Sequence, residues 1–221
     1  QVLDIVNEKR AEKGLTALKM DNDLLNAAMQ RAAECSVYYD HTRPDGTSCY
    51  TASSKMTREN IAAGYQSPQA VMDGWLNSSG HYANIMSSDS RSIGIGCVKA
   101  NGVWYWTQCF GSSSASAAAT SSDGNKEFKI SASGNVEVQL KNASGTIKEG
   151  ETAQLVVNAL NYWNESYYVT VTIDNRSYSW TSSDNKIAVV DNNGKITAKK
   201  AGTATITGQN VGDETKTVTY K

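Results

Sequence analysis

Every cysteine, histidine, proline and methionine of this 221-residue chain lies before residue 111, and none follows. The later half is built instead from Ser, Thr, Asn, Gly, Lys and β-branched residues. Between the two runs a stretch rich in Ser, Ala and Thr, from Gly111 to Gly124. Residues that small and polar cannot bury a core and read as a flexible linker. The break therefore predicts two separately folded parts: a first domain over 1–111, a linker over 112–126 and a second domain over 127–221. The length suffices for two modest cores.

Charge narrows the partners. The formal net charge is −1. No basic stripe points to nucleic acid, and no polybasic segment points to an anionic membrane surface. No apolar run approaches the ~18 residues that span a bilayer. The sequence shows no initiator Met and no signal peptide, so it reads as a mature or trimmed chain.

Local patterns separate the two parts further. Residues 2–13 set Val2, Leu3, Ile5 and Val6 on a helical stripe that ends at Gly14. Residues 22–36 repeat the pattern with Leu24, Leu25, Ala28, Met29, Ala32 and Cys35, after Asp21 or Asp23 as N-cap. Ser67-Pro68 opens a third helix that turns Val71, Met72 and Trp75 inward and stops near Ser79-Gly80. Runs 93–99 and 103–110 flank Asn101-Gly102, a hairpin signal because both turn residues need positive φ. The first domain is thus expected to be α+β. The second shows short β-rich runs at 154–157, 169–173, 187–190, 196–198 and 204–207, punctuated by Asn192-Asn193-Gly194 and Ala201-Gly202. Such spacing predicts an all-β sandwich, with Trp180 in its core.

Four cysteines in one small domain fit a disulfide framework in an exported protein. Three pairings are open. A Cys35–Cys49 bridge would close a short loop around His41. Its complement, Cys97–Cys109, is harder. A two-residue turn sets Cys97 opposite Trp106, leaving Cys109 three residues along on the other face. That offset is roughly 10 Å, against the ~7 Å Cα limit of a bridge. Either the strand is bulged, or these two cysteines reach elsewhere or stay free.

The two histidines, His41 and His81, are both placed in loops, with Glu59-Asn60-Ile61-Ala62 between them. Imidazole suits both metal ligation and proton transfer near neutral pH. A nucleophilic serine is a poor alternative: Ser78, Ser79 and Ser88 are near in sequence, but no G-x-S-x-G elbow is present. In the run Trp104-Tyr105-Trp106, alternation sets the two tryptophans on one face, and core packing is the default expectation.

Taken in order, these motifs are similar to a known family. They are Asn7 and Arg10; His41-Thr42-Arg43-Pro44-Asp45-Gly46; Glu59-Asn60-Ile61-Ala62; Trp75; Ser78-x-Gly80-His81-Tyr82-Ala83-Asn84-Ile85; Ile93-Gly94-Ile95-Gly96; and Tyr105-Trp106-Thr107-Gln108. The order resembles the CAP superfamily of cysteine-rich secretory, antigen 5 and plant pathogenesis-related proteins, in its bacterial SCP form. The resemblance covers nearly all of 1–111. It implies a three-layer α-β-α sandwich with a large open cleft, and an extracellular or cell-surface location. The family cleft holds two His and two Glu, and some members bind a divalent metal such as zinc there. His41 and His81 match the two histidines and Glu59 the first glutamate. The second glutamate position is Ser78, so the tetrad is incomplete. In the second domain, the segments 178–184, 187–191, 194–198 and 202–207 resemble the bacterial group 2 Ig-like module of invasin- and intimin-type surface proteins.

These resemblances imply a secreted or surface-attached bacterial protein that binds a peptide, lipid or glycan, or a host or cell-surface protein, through the cleft. His41, Glu59, Ser78 and His81 form the expected cleft. His41, His81 and, as a further ligand, Glu59 are the expected holders of zinc or another divalent ion. Two alternatives stand beside this. One is a metal-assisted hydrolase of peptide or wall material, with Glu59 as base and His41 and His81 as ligands. The other is an adhesin in which the Ig-like domain binds.

Overall fold

The computed structural model describes residues 1–115, 124–131, 136–164 and 167–221. Most of the expected linker, residues 116–123, lies outside this range. Contacts divide the chain into two compact units, Gln1–Arg43 with Thr47–Ile130, and Pro44–Gly46 with Ser131–Lys221.

In the first unit, α1 (Val2–Ala11) is followed by β1 (Lys19–Met20), α2 (Asn22–Cys35), β2 (Met56–Ala63), α3 (Pro68–Leu76), α4 (Ser79–Ile85), β3 (Ser92–Ala100) and β4 (Val103–Gly111). The sheet runs β1-β3-β4-β2, with β1 parallel to β3 and the other pairs antiparallel. The start signals act as expected. The Asp21 carboxylate accepts from the amides of Asp23 and Leu24, and Ser67 Oγ accepts from Ala70 N. The hairpin closes Ala100 against Val103 through Asn101 and Gly102 at φ 48° and 83°.

The period-2 alternation of β3 and β4 sorts their side chains into two layers. Ile93, Trp106 and Phe110 face α1, α3 and Ile85 of α4, where Val2, Val6, Val71, Met72 and Trp75 complete one core. Cys109 faces α2, where Leu24, Ala27 and Ala28 meet Cys49 and Met56 in a second core. The result is three layers, α-β-α. On the α2 side Gly94 and Gly96 let the helix backbone lie directly on the strand. A Cβ at Gly94 would stand 1.9 Å from Leu24 O, and one at Gly96 would stand 2.2 Å from Ala28 O.

Two family motifs prove to be braces. Asn7 Nδ2 donates to Leu18 O at 3.0 Å, and its Oδ1 accepts from Leu18 N at 2.8 Å. Arg10 is buried and donates to Thr16 O, Ile85 O and Ser87 O, which ties α1 to the end of α4.

The second unit is all β: β5 (Glu137–Leu140), β6 (Thr152–Gln154), β7 (Val157–Asn164), β8 (Tyr167–Ile173), β9 (Tyr178–Ser182), β10 (Ala188–Val190), β11 (Lys195–Ala198), β12 (Ile206–Asn210) and β13 (Thr217–Tyr220). They form three antiparallel three-stranded sheets, β10-β11-β6, β13-β12-β9 and β5-β7-β8. All three supply one core that includes Leu140, Val157, Ile196, Ile206 and Val218. Trp180 packs against this core with one face on Gly208, and its Nε1 donates to Asn175 O at 2.9 Å.

The disulfide expectation is corrected. All four cysteines are free thiols. Cys97 does stand opposite Trp106, on the α1/α3 side of the sheet, whereas Cys109 points to the α2 side. A bridge between them would have to pass through the sheet. Cys35 ends α2 with its sulfur 3.9 Å from Arg31 Nη2, and Cys49 is turned toward His41.

Candidate functional site

The loop between α2 and β2 doubles back on itself. Arg43 N donates to Thr47 O at 2.7 Å, Thr42 and Ser48 form a bridge, and Cys49 N donates to His41 O at 3.0 Å. His41 and Cys49 are therefore neighbours across the loop. Beside them is a cavity of about 370 Å³ lined by His41, Thr42, Ser48, Cys49, Tyr50, Glu59 and Asn84.

Glu59 forms part of the cavity wall. It is supplied by β2, and its side chain is 1% exposed. Arg31 Nε donates to its Oε2 at 2.8 Å, and Arg31 Nη2 to its Oε1 at 3.3 Å. His41 Nδ1 lies 2.8 Å from Oε1. The imidazole itself remains 57% exposed. Its pKa is raised to about 9, by the hydrogen bond with Cys49 and then by that with Glu59.

Arg31 continues the chain of charges inward. It donates to Glu34 Oε2 at 2.8 Å and to Asp40 O at 2.7 Å, and Arg43 holds the other Glu34 oxygen at 2.6 Å. Burial disfavours the Arg31 charge, and Cys35, Glu59 and Glu34 outweigh it, so its pKa is raised. Burial likewise pushes Glu34 up, but hydrogen bonds from Arg43 and Arg31 prevail and hold it below its usual value.

A second network of amides fixes the α4 side. Asn60 Nδ2 donates to Gln108 Oε1 and to His81 O, and Asn84 Nδ2 donates to Asn60 Oδ1 and to Glu59 O. The Glu59-Asn60, Asn84 and Gln108 motifs are thus the seam by which α4 is sewn to β2 and β4.

The sequence-predicted residues divide. His41 and Glu59 meet. His81 lies within α4 rather than in a loop, because the helix end expected at Ser79-Gly80 is the start of a new helix. Its side chain is not among the groups lining the cavity. Burial first, and the charge of His41 second, lower its pKa. Ser78 precedes α4 as its N-cap residue without a side-chain capping bond, and it does not line the cavity. A cysteine joins the two residues that meet: ligand atoms of His41, Cys49 and Glu59 lie within 4.8 Å of one another. Sequence reasoning missed Arg31. The available signal was an arginine seven residues after Leu24, two helical turns along the same buried stripe.

A three-layer α-β-α domain with a histidine–glutamate cleft defines a class, and comparison with known proteins agrees. Residues 3–110 match the family model described as CAP, cysteine-rich secretory protein family. Residues 3–110 are a CAP domain. Residues 175–211 match the intimin immunoglobulin-like domain. The protein YkwD of Bacillus subtilis (strain 168) is 31% identical over 112 residues, 47% of this chain and 44% of that one. The membrane protein YlbC of the same organism is 29% identical over 118 residues, 50% of this chain and 33% of that one. The chain therefore spans less than half the length of these relatives. An extracellular SCP-domain protein of Bacillus anthracis str. Ames, known from its crystal structure, shares 25% identity, with a TM-score of 0.46 over 50% of this chain and 39% of that one.

Proposed function

We propose that this is an extracellular or surface-attached bacterial CAP protein that binds a small polar ligand, a short peptide or glycan, through the His41 cleft. The observation that carries this is His41 itself. Its Nδ1 is fixed by a buried carboxylate that an arginine neutralises from behind, while most of the ring faces solvent. An imidazole so preorganised loses little freedom when it hydrogen-bonds a ligand. The volume falls within the range of about 300–1,000 Å³ usual for small-ligand sites. Thr42, Ser48 and Asn84 offer polar groups, and half-exposed Tyr50 offers a stacking face for a sugar or peptide plane. Among the described residues no helix is long and apolar enough to cross a membrane. The Ig-like unit then serves as spacer or adhesive module.

The hydrolase alternative is weaker, because both Glu59 oxygens are already engaged by Arg31 and His41. The test is calorimetric titration of the whole chain with soluble peptidoglycan fragments and with short peptides. Saturable binding lost in His41→Ala and Tyr50→Ala, but kept in His81→Ala, is the expected result. Equal binding by all the variants would overturn the reading.

A further inference from the structure

Three side chains of different ligand chemistry meet at one wall of the cleft. The nitrogen, sulfur and oxygen donors of His41, Cys49 and Glu59 lie within 4.8 Å of one another, and among the described residues no other such group of three or more occurs. Bond lengths to zinc of about 2.0–2.3 Å set tetrahedral ligand atoms roughly 3.3–3.8 Å apart. The trio therefore needs only a modest adjustment: His41 Nδ1 and Glu59 Oε1, 2.8 Å apart, would open by about 0.5 Å, and the Cys49 sulfur would draw in by no more than about 1.5 Å. The fold permits one: His41 is on an exposed loop, and Cys49 opens the short 3-10 turn 49–52 that follows. The Cys49 N to His41 O bond keeps the two donors paired as they move.

Arg31 prepares the third donor. It takes its shorter bond, 2.8 Å, to Glu59 Oε2 and its longer one, 3.3 Å, to Oε1. Oε1 is the oxygen that meets His41 Nδ1. The carboxylate is held so that one oxygen faces the imidazole, at the point where an ion would take the place of the proton the two groups share.

We propose that His41, Cys49 and Glu59 form a thiolate-containing site for a divalent ion of the zinc class. Cys49 is a ligand that the two-histidine expectation lacks, and His81 is not a ligand. On binding, the Cys49 thiol gives up its proton to solvent, as does the shared His41–Glu59 site, and no redox step is involved. A sulfur donor selects zinc, cobalt or another thiophilic ion and discriminates against magnesium and calcium, which require oxygen ligands. A fourth position remains open toward the cavity for water or a ligand group. The inference rests on the cleft described above and not on its organic ligand.

The experiment is titration of the whole, reduced chain with cobalt(II), followed by absorbance. Thiolate ligation gives a sulfur-to-cobalt charge-transfer band in the near ultraviolet, which a histidine–carboxylate site cannot give. We expect one equivalent to produce this band, zinc to remove it, Cys49→Ser to abolish it, and His81→Ala to leave it unchanged. Glu59→Gln should weaken binding on the order of 10-fold or more. Cys49 is buried, so a second measurement uses the unmutated protein. Zinc should slow alkylation of Cys49 by iodoacetamide, read by mass spectrometry, with half-buried Cys97 as internal control. Cobalt binding without the band, a band that survives in Cys49→Ser, or alkylation indifferent to zinc would each overturn the proposal. None of those results touches saturable binding of a glycan or peptide, and loss of that binding with the band intact would refute only the proposed ligand.

Discussion

Gly94→Ala tests how closely α2 lies on the sheet. The new Cβ would stand 1.9 Å from Leu24 O, 2.0 Å from Leu24 C and 2.4 Å from Leu25 N. Ordinary contact begins at 3.4 Å, so the helix would have to withdraw by about 1.5 Å. The obstacle is backbone, which cannot rotate aside as a side-chain tip can. Overpacking costs about 1–3 kcal/mol, and the upper end applies here. For a domain of this size that lowers the melting temperature on the order of 10 °C. The shift also reaches the cleft, because Arg31 sits two turns further along the same helix face and bonds Glu59 at 2.8 Å. The assay is scanning calorimetry of the whole chain, with near-ultraviolet circular dichroism to follow Trp75, Trp104 and Trp106. Gly80→Ala is the control, since a Cβ there meets nothing within 4 Å and helix propensity makes the change neutral or mildly favourable. If Gly94→Ala melts with Gly80→Ala, the close approach of helix and strand is not what these glycines provide.

Three further outcomes are expected. Arg31→Met strands the Glu59 charge, 1% exposed, and should cost about 3–5 kcal/mol in denaturant unfolding; the double variant Arg31→Met/Glu59→Gln should regain part of it, and no recovery would mean the pair is not what Arg31 supports. Glu34 is held below its ordinary pKa, so it contributes stability that is full above the unfolded value near 4.5 and is lost as pH falls through the folded value; urea midpoints of Glu34→Gln should show a shallower decline below that pH, and parallel curves would count against the ion pairs. Gly208→Ala sets a Cβ 2.6 Å from the Trp180 ring and should lower only the melting transition of the Ig-like unit; a shift of the other transition would contradict the division into two units.

What the sequence disclosed followed from periodicity and capping. The α2 and α3 caps, the Asn101-Gly102 turn and the inward set Val71, Met72 and Trp75 all rest on local backbone chemistry and are found where expected. The failures have non-local causes. Arg31 and Glu34 lie on a buried helix face that polarity alone assigns to solvent, and only partners from β2 and the 40–49 loop make their burial tolerable. β2 lacks period-2 alternation because Ile61 and Ala62 are buried in succession, so the strand that carries Glu59 gave no signal. Helix α4 begins at a Ser-Gly pair that reads as a stop, and it is fixed by the Asn60–Asn84–Gln108 amides. Cysteine spacing suggests Cys49 as half of a bridge, whereas the loop presents its sulfur to His41.

The loop that carries His41 is moored by ions rather than by sulfur. Arg43 grips Glu34 from the loop, and Arg31 holds the Asp40 carbonyl just before His41 while binding Glu59 beside it. Small exported domains commonly secure such a loop with a covalent bridge. These moorings include no bond for a reductant to cut, so the wall of the cleft keeps its shape in reducing surroundings. The sulfur that a bridge would have consumed stays free for other chemistry.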